Sequence, residues 1–294
     1  MQILDGKKTL QNTKQEILQK GRTIANKRGK KPSLSIILVG EDGASKTYVN
    51  HKLKTCEEVE FESSLTHFNE DVAEETLLEK VKEKNEDPDV DGIIVQLPLP
   101  AHISETKVIE TIEPDKDVDG FHPMSAGRMI KGLPTYLPAT PQGILRLLEE
   151  YDVPTKGKHC VVIGRSQIVG LPLSIMMGQN KYPGNATVTL CHSRTQNTEE
   201  LIRQADIIVT AIGSPGFIKE DMVKEGAVVI DVGITRIEDP SKKKGYRLQG
   251  DVDYENVAKK CSYITPVPGG VGPMTIASLL LNTLKAAKSK IENS

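Results

Sequence analysis

The 294-residue chain predicts an α/β protein of two domains, each built on a mainly parallel sheet, with the second sheet doubly wound. Three observations carry this prediction. Short apolar runs ending in Gly or Pro alternate with longer amphipathic stretches, the pattern of buried strands and covering helices. The alternation occurs in two separate blocks. Between them, residues 114–142 hold Pro114, Pro123, Pro134, Pro138 and Pro141 with glycines at 120, 127 and 132, a density of turn formers that suits a domain boundary or a cleft rim.

In the first block, residues 8–28 form an amphipathic helix with Leu10, Ile17, Leu18, Ile24 and Ala25 on one face. Ser35-Ile36-Ile37-Leu38-Val39-Gly40 is a buried strand ended by glycine. A helix over 44–60, a strand over 62–68 and a helix over 74–86 follow. Ile93-Ile94-Val95-Gln96-Leu97 is a further buried strand, stopped by Pro98 and Pro100, before a short helix over 104–112. A helix over 141–151 follows the turn-rich stretch, and the second block begins at His159. Its five strands are His159–Gly164, Thr187–Leu190, Asp206–Thr210, Val228–Asp231 and Tyr263–Thr265, with helices over 169–180, 197–204 and 253–260. The last helix, 273–290, is long enough to leave this unit and pack elsewhere.

Lys and Arg number 38 against 40 Asp and Glu, a net charge of −2, so no bulk attraction to nucleic acid or anionic lipid is expected. No apolar run approaches the ~20 residues that span a bilayer, and Met1–Lys8 lacks the apolar stretch of a signal peptide. Cys56, Cys160, Cys191 and Cys261 form no CxxC pair. They predict reduced, buried thiols of a cytoplasmic protein and no metal site. Lys242-Lys243-Lys244 reads as a solvated loop, with an acidic tail or partner as the alternative.

Val161-Val162-Ile163 runs into Gly164-Arg165-Ser166-Gln167-Ile168-Val169-Gly170 and then a helix. A strand, a glycine turn and a helix N-terminus suit a pyrophosphate, because the backbone can approach and free N–H groups and the helix dipole favour an anion. The match to G-x-G-x-x-G is poor, and a plain strand-to-helix turn accounts for it equally well. The next strand ends in Cys191-His192-Ser193-Arg194-Thr195, with no carboxylate for ribose hydroxyls. A hydroxyl and an arginine there, with Arg165 near, favour NADP over NAD. In the first block, Tyr48 and Lys52 stand four apart on a helix, hence on one face. Such a pair is commonly just solvated. Gln96 interrupts an apolar strand at its carboxyl end, where a polar group must be paired or face a cleft. Asp117-Val118-Asp119-Gly120 reads by itself as an Asp-Gly turn.

Five motifs occur in order: Tyr48-Val49-x-x-Lys52; Val95-Gln96-Leu97-Pro98-Leu99-Pro100; Asp115-Lys116-Asp117-Val118-Asp119-Gly120-Phe121; Gly164-Arg165-Ser166-x-Ile168-Val169-Gly170-x-Pro172; and Pro266-Val267-Pro268-Gly269-Gly270-Val271-Gly272-Pro273-Met274-Thr275. Together they resemble the bifunctional methylenetetrahydrofolate dehydrogenase/methenyltetrahydrofolate cyclohydrolase family over essentially the whole chain. One departure is Ala139 before Thr140-Pro141, where many relatives carry Cys; neither hydride transfer nor hydration needs a thiol at that position.

The resemblance implies NADP-dependent oxidation of 5,10-methylenetetrahydrofolate to the methenyl cation, then hydration to 10-formyltetrahydrofolate, in a cleft between the two domains. It implies a folate-binding catalytic domain of 1–139 plus 274–294 and a Rossmann-like NADP-binding domain of 140–273, which mediates a homodimer. Lys52, Tyr48, Gln96 and Asp119 are the implied catalytic residues. Val95, Leu97, Pro268, Gly269, Gly270 and Val271 join them in holding folate. Thr140, Gly164, Arg165, Ser166, Ser193, Arg194 and Ile234 are the implied NADP contacts. Two other readings remain open on the residues alone: a shikimate-like two-domain NADP dehydrogenase, and a non-catalytic nucleotide sensor. The first leaves Tyr48/Lys52 and the 266–273 string unexplained, and the second has no need of a reactive Lys and Gln together.

Overall fold

The computed structural model describes residues 1–242 and 245–292. Lys243 and Lys244, in the basic segment noted above, lie outside them. The chain divides into two units, Gln11–Ala139 with Ile276–Ser294, and Met1–Leu10 with Thr140–Thr275.

The first unit is built on a parallel sheet of three strands, β2 (Ser33–Val39), β3 (Glu62–Phe68) and β4 (Gly92–Val95), in the order β3-β2-β4. Successive side chains of a strand point to opposite faces, so the central strand sorts its apolar run into two cores. Leu34, Ile36 and Leu38 join one buried cluster with Val49, Cys56, Ile94, Leu279 and Leu280. Ile37 and Val39 join the other with Leu77, Val81, Ile93, Val95 and Val108. Helix α1 (Gly6–Arg28), α2 (Gly43–Glu58) and α10 (Val271–Glu292) supply the first cluster, and α3 (Glu74–Glu86) and α4 (Glu105–Thr111) supply the second. Burial on both faces is why Ile36–Val39 is an unbroken apolar run with no polar alternation.

Two charged side chains tie this unit together from inside. Asp91 accepts from the two terminal Arg28 guanidinium nitrogens at 2.7 and 2.8 Å, from Ser33 N at 3.0 Å, and pairs with Lys290 at 3.1 Å. Lys116 Nζ donates to the carbonyls of Lys84, Asn85 and Asp87 at 2.9, 2.7 and 2.6 Å, which satisfies the open end of α3.

The 114–142 stretch is less irregular than its composition predicts, because it contains α5 (Pro123–Ile130). His122 caps it through Nδ1, which accepts from Met124 N at 3.0 Å, and Pro123 stands at the first helical position, where its missing N–H costs nothing.

The second unit carries a parallel sheet in the order β1-β11-β8-β7-β5-β6. Its strands are β5 (His159–Ile163), β6 (Thr187–Cys191), β7 (Ile207–Thr210), β8 (Val228–Asp231), β11 (Tyr263–Ile264) and β1 (Gln2–Ile3). Helices α6 (Ala139–Glu150), α7 (Gly170–Gly178), α8 (Thr198–Gln204) and α9 (Tyr254–Val257) accompany them. The sheet has six strands where five are expected. The sixth is β1, whose two exposed residues pair with β11 through Gln2↔Tyr263 and Ile3↔Ile264. This pairing groups residues 1–10 with the second sheet rather than with residues 11–139. A further addition is the antiparallel hairpin of β9 (Thr235–Glu238) and β10 (Tyr246–Gln249), where Arg236 lies 4.8 Å from the Tyr246 ring centre. Among the described residues no helix is long and apolar enough to cross a membrane.

Candidate active site

In the three-stranded unit, the turn after β2 leads into α2, whose first turn is capped by Asp42: its carboxylate accepts from Ser45 N at 2.7 Å. Helical spacing then stacks Tyr48 and Lys52 on one face. Lys52 is only 5% exposed. Its Nζ donates to Gln96 Oε1 at 3.0 Å and lies 5.2 Å from the Tyr48 ring centre. Gln96 follows β4 directly. Its backbone N donates to Ile37 O at 2.8 Å and its side-chain Nε2 to Leu97 O at 2.6 Å, so both ends of the amide are fixed. The strand ends thus deliver a rigid acceptor to a buried amine.

Burial lowers the Lys52 pKa from its ordinary value, and the charge of Asp119 opposes that shift. Burial raises the Asp119 carboxyl, and Lys52 opposes that in turn. The Asp119 segment is held from several sides. Its carbonyl accepts from Ala139 N at 3.3 Å, and Asn282 Nδ2 donates to Val118 O and Leu137 O at 2.8 and 3.0 Å. Gly120 takes φ of +72°, and a Cβ there would stand 2.6 Å from the Leu137 carbonyl carbon. Lys52, Tyr48, Gln96 and Asp119 are therefore one cluster. Val95 is not part of it, since its side chain is buried in the core; Leu97 enters through its carbonyl.

Pro268, Gly269, Gly270 and Val271 belong to the six-stranded unit. Gly269 takes φ of +115° and its carbonyl accepts from Lys7 N at 3.2 Å. The segment is pressed against Gly6, where a Cβ would lie 1.7 Å from Gly270 O. A Cβ on Gly270 would itself lie 2.7 Å from Pro266 O, so the turn has no room for a side chain there.

In the same unit the strand order reverses between β5 and β7, the place where doubly wound sheets bind ligands. Gly164 follows β5 with φ of +109°, and a Cβ on it would lie 2.5 Å from Ala211 O, just beyond β7. A Cβ on Gly170 would lie 1.8 Å from Gly164 O. Glycine at both positions is what lets the turn close against its neighbours and start α7. Ser166 Oγ accepts from Val169 N at 3.2 Å and Gly170 N at 3.4 Å, bracing that turn. After β6, His192 N donates to Thr195 Oγ1 at 2.9 Å and Arg194 N to His192 Nδ1 at 3.1 Å. The resulting turn exposes Ser193 and Arg194, and Arg165 is exposed too. Large apolar side chains on the loops after β5, β7 and β8 (Ile168, Ile212 and Ile234) are also open to solvent, Ile234 by 50%. Glycine cradle, exposed arginines and exposed apolar rim fit a phosphorylated dinucleotide. Thr140, at the start of α6, hydrogen-bonds Thr275 through their hydroxyls at 3.1 Å.

Two buried carboxylates that the sequence did not single out shape these loops. Asp251 accepts from Ile212 N, Gly213 N, Ser214 N and Thr210 Oγ1 at 2.8, 3.3, 2.7 and 3.2 Å. Asp231 accepts from Gly233 N, Asp251 N and Val252 N at 3.0, 3.0 and 2.9 Å. Burial pushes the Asp231 carboxyl up to about 6. The available signal for Asp231 is an acid closing the apolar run Val228–Ile230. Asp251 has none, since its partners, three backbone N–H groups and the Thr210 hydroxyl, are distant in sequence.

Comparison with known proteins agrees over both units. The family model "Tetrahydrofolate dehydrogenase/cyclohydrolase, NAD(P)-binding domain" matches residues 138–291, and its "catalytic domain" counterpart matches residues 4–119. The bifunctional protein FolD of Cytophaga hutchinsonii is 62% identical over 290 residues, covering 99% of this chain and all of that one. The crystal structure of the bifunctional FolD methylenetetrahydrofolate dehydrogenase/cyclohydrolase of Campylobacter jejuni superposes with a TM-score of 0.92 at 46% identity, covering 99% of each chain. The Trypanosoma brucei methylenetetrahydrofolate dehydrogenase-cyclohydrolase, solved with NADP and an inhibitor, gives 0.93 at 37% identity, covering 98% of this chain and 97% of that one. With identity at this level across both blocks of motifs, the chain belongs to the tetrahydrofolate dehydrogenase/cyclohydrolase family.

Proposed function

We propose that the three-stranded unit binds folate and handles its water chemistry, and that the six-stranded unit holds NADP. The chain is a bifunctional enzyme, an NADP-dependent 5,10-methylenetetrahydrofolate dehydrogenase and a 5,10-methenyltetrahydrofolate cyclohydrolase. Gly164, Arg165, Ser166, Ser193, Arg194, Ile234 and Thr140 would hold the cofactor, with the arginines on its 2′-phosphate. NADP in its oxidised form supplies the hydride acceptor. The oxidation leaves a cation shared by two folate nitrogens, so no side chain has to take a proton in that step. The residues' task there is orientation. Tyr48 stacks on the folate, and Asp119 accepts from the pterin N–H groups.

The hydration step does need proton transfer. Water adds to the cationic carbon and loses a proton to Lys52 Nζ. The carbon–nitrogen bond then breaks as a proton returns to the departing folate nitrogen, and the second water proton goes to solvent. A free Lys, with pKa about 10.4, is almost wholly protonated at neutral pH. Burial shifts Lys52 toward the neutral amine. Gln96 Oε1 takes one amine N–H and so leaves the lone pair for water. The observation that carries this reading is the buried Lys52 Nζ pinned at 3.0 Å to Gln96. The test is to assay both steps with purified protein: NADPH formation from methylenetetrahydrofolate, and decay of added methenyltetrahydrofolate. Absence of either activity would refute the reading.

A cytoplasmic location is supported by the cysteines, all four free and buried. A homodimer through the six-stranded unit is what family membership supports, and sedimentation of the purified protein tests it.

A further inference from the structure

Asp117, two residues before Asp119, takes no part in either chemical step, yet its side chain is only 1% exposed. Its Oδ1 accepts from Phe121 N at 3.2 Å, and its Oδ2 from His122 N at 2.8 Å and Ser125 Oγ at 3.0 Å. Its own carbonyl accepts from Gly120 N at 3.1 Å, and its backbone bridges Ile93 on β4. One carboxylate therefore closes the segment 117–122 on itself and ties it to α5. Asp119 stands in the middle of that closed segment. A solvated Asp-Gly turn would need none of this, because water would satisfy the same donors. Burial makes the arrangement costly: it pushes the Asp117 carboxyl up to about 6, with a contribution from the charge of Asp119.

We propose that Asp117 is a positioning residue for the folate substrate, holding its loop so that the Asp119 carboxylate is presented to the pterin beside Lys52. The proposal rests on Asp119 as the pterin contact, so the two are tested separately. Asp119→Asn tests the contact itself and must raise the KM for methylenetetrahydrofolate. Asp117→Asn keeps the size but turns one acceptor into a donor facing donors. It is expected to raise the folate KM roughly tenfold while the KM for NADP stays within about twofold, as loss of one buried acceptor predicts. In the double variant the two effects are expected to be non-additive, Asp117→Asn adding less than about threefold, because both remove the same contact. Ser125→Ala removes one donor and is the milder variant should Asp117→Asn fold poorly. It is expected to raise the folate KM by about two- to fivefold with an unchanged NADP KM. Parallel rises in both KM values, a fall in kcat alone, full additivity, or no shift in Ser125→Ala would overturn the proposal. If Asp119→Asn leaves the folate KM unchanged, the assignment of Asp119 fails and the proposal falls with it.

Discussion

Replacing Lys52 by Met separates the two activities. Met is unbranched and of similar length, so it fills the space of a side chain that is only 5% exposed and should leave folding intact. What disappears is the amine. Removing a positioned acid/base group lowers a proton-transfer step by ~10²–10⁴-fold, and that is the expected fall in methenyl hydration. The oxidation step needs no such group. There the loss is the bond from Nζ to Gln96 Oε1 at 3.0 Å, which leaves that oxygen without the amine while Nε2 keeps its bond to Leu97 O. At ~1 kcal/mol for a buried hydrogen bond of the neutral amine, the oxidation should fall about fivefold. The two activities should therefore part by at least about one order of magnitude. The assay measures NADPH formation and methenyl decay on the same preparation, with thermal unfolding as a check of the fold. Lys52→Arg sharpens it, since a guanidinium keeps the charge but does not release its proton, so hydration should stay lost. In the native protein the hydration rate should rise with pH as the depressed Lys52 amine loses its proton, then level off. Equal loss of both activities in Lys52→Met would refute the reasoning and make Lys52 a binding residue.

Exchanging Arg165 and Arg194 together for neutral residues should raise the KM for NADP far more than that for NAD; an equal rise would show that they do not read the 2′-phosphate. Asp251→Asn replaces one of the two oxygens that together accept from four donors by a donor, so it should destabilise the six-stranded unit by about 1–3 kcal/mol and raise the KM for NADP, read by denaturant titration and kinetics. Gly170→Ala should fail to form the turn, because its Cβ would meet Gly164 O at 1.8 Å; an unchanged NADP KM would contradict the close-packed cradle. Asp231 has a folded pKa of about 6 against an ordinary 3.8, so the folded state holds the proton more tightly. That favours the folded state below the ordinary value, and the advantage is lost as pH rises through about 6. Relative to Asp231→Asn, the native protein should therefore gain on the order of 1 kcal/mol of unfolding free energy between neutral pH and pH ~5, and parallel pH profiles would disprove it.

The strands β2, β4, β5, β7 and β8 were legible because burial on both faces writes an unbroken apolar run into the sequence. Three elements that lack both such a run and a clear helical period were not. β1 has two exposed residues, the hairpin β9–β10 alternates weakly, and α5 is short with Pro123 and Gly127 inside a turn-rich stretch. Among the site residues, Tyr48 and Lys52 could be grouped by helical spacing, and Gln96 stood out as a polar break in an apolar strand. Asp119 had no local signal beyond its turn and entered through the family motif. Asp117, Asp231 and Asp251 were invisible as a class, since each binds mainly backbone N–H groups, which every residue type provides.

By itself, the sequence determined the α/β class, the main buried strands and the family, because periodicity and strings of unusual residues are local properties. Tertiary structure alone decided that Nζ of Lys52 is buried against Gln96, that Gly164 and Gly170 touch neighbouring backbone, and that three aspartates are interior loop clamps. The physical reason is that burial and hydrogen-bond geometry depend on atoms brought together from distant positions, and the protonation of an amine or a carboxyl follows from those surroundings rather than from residue type.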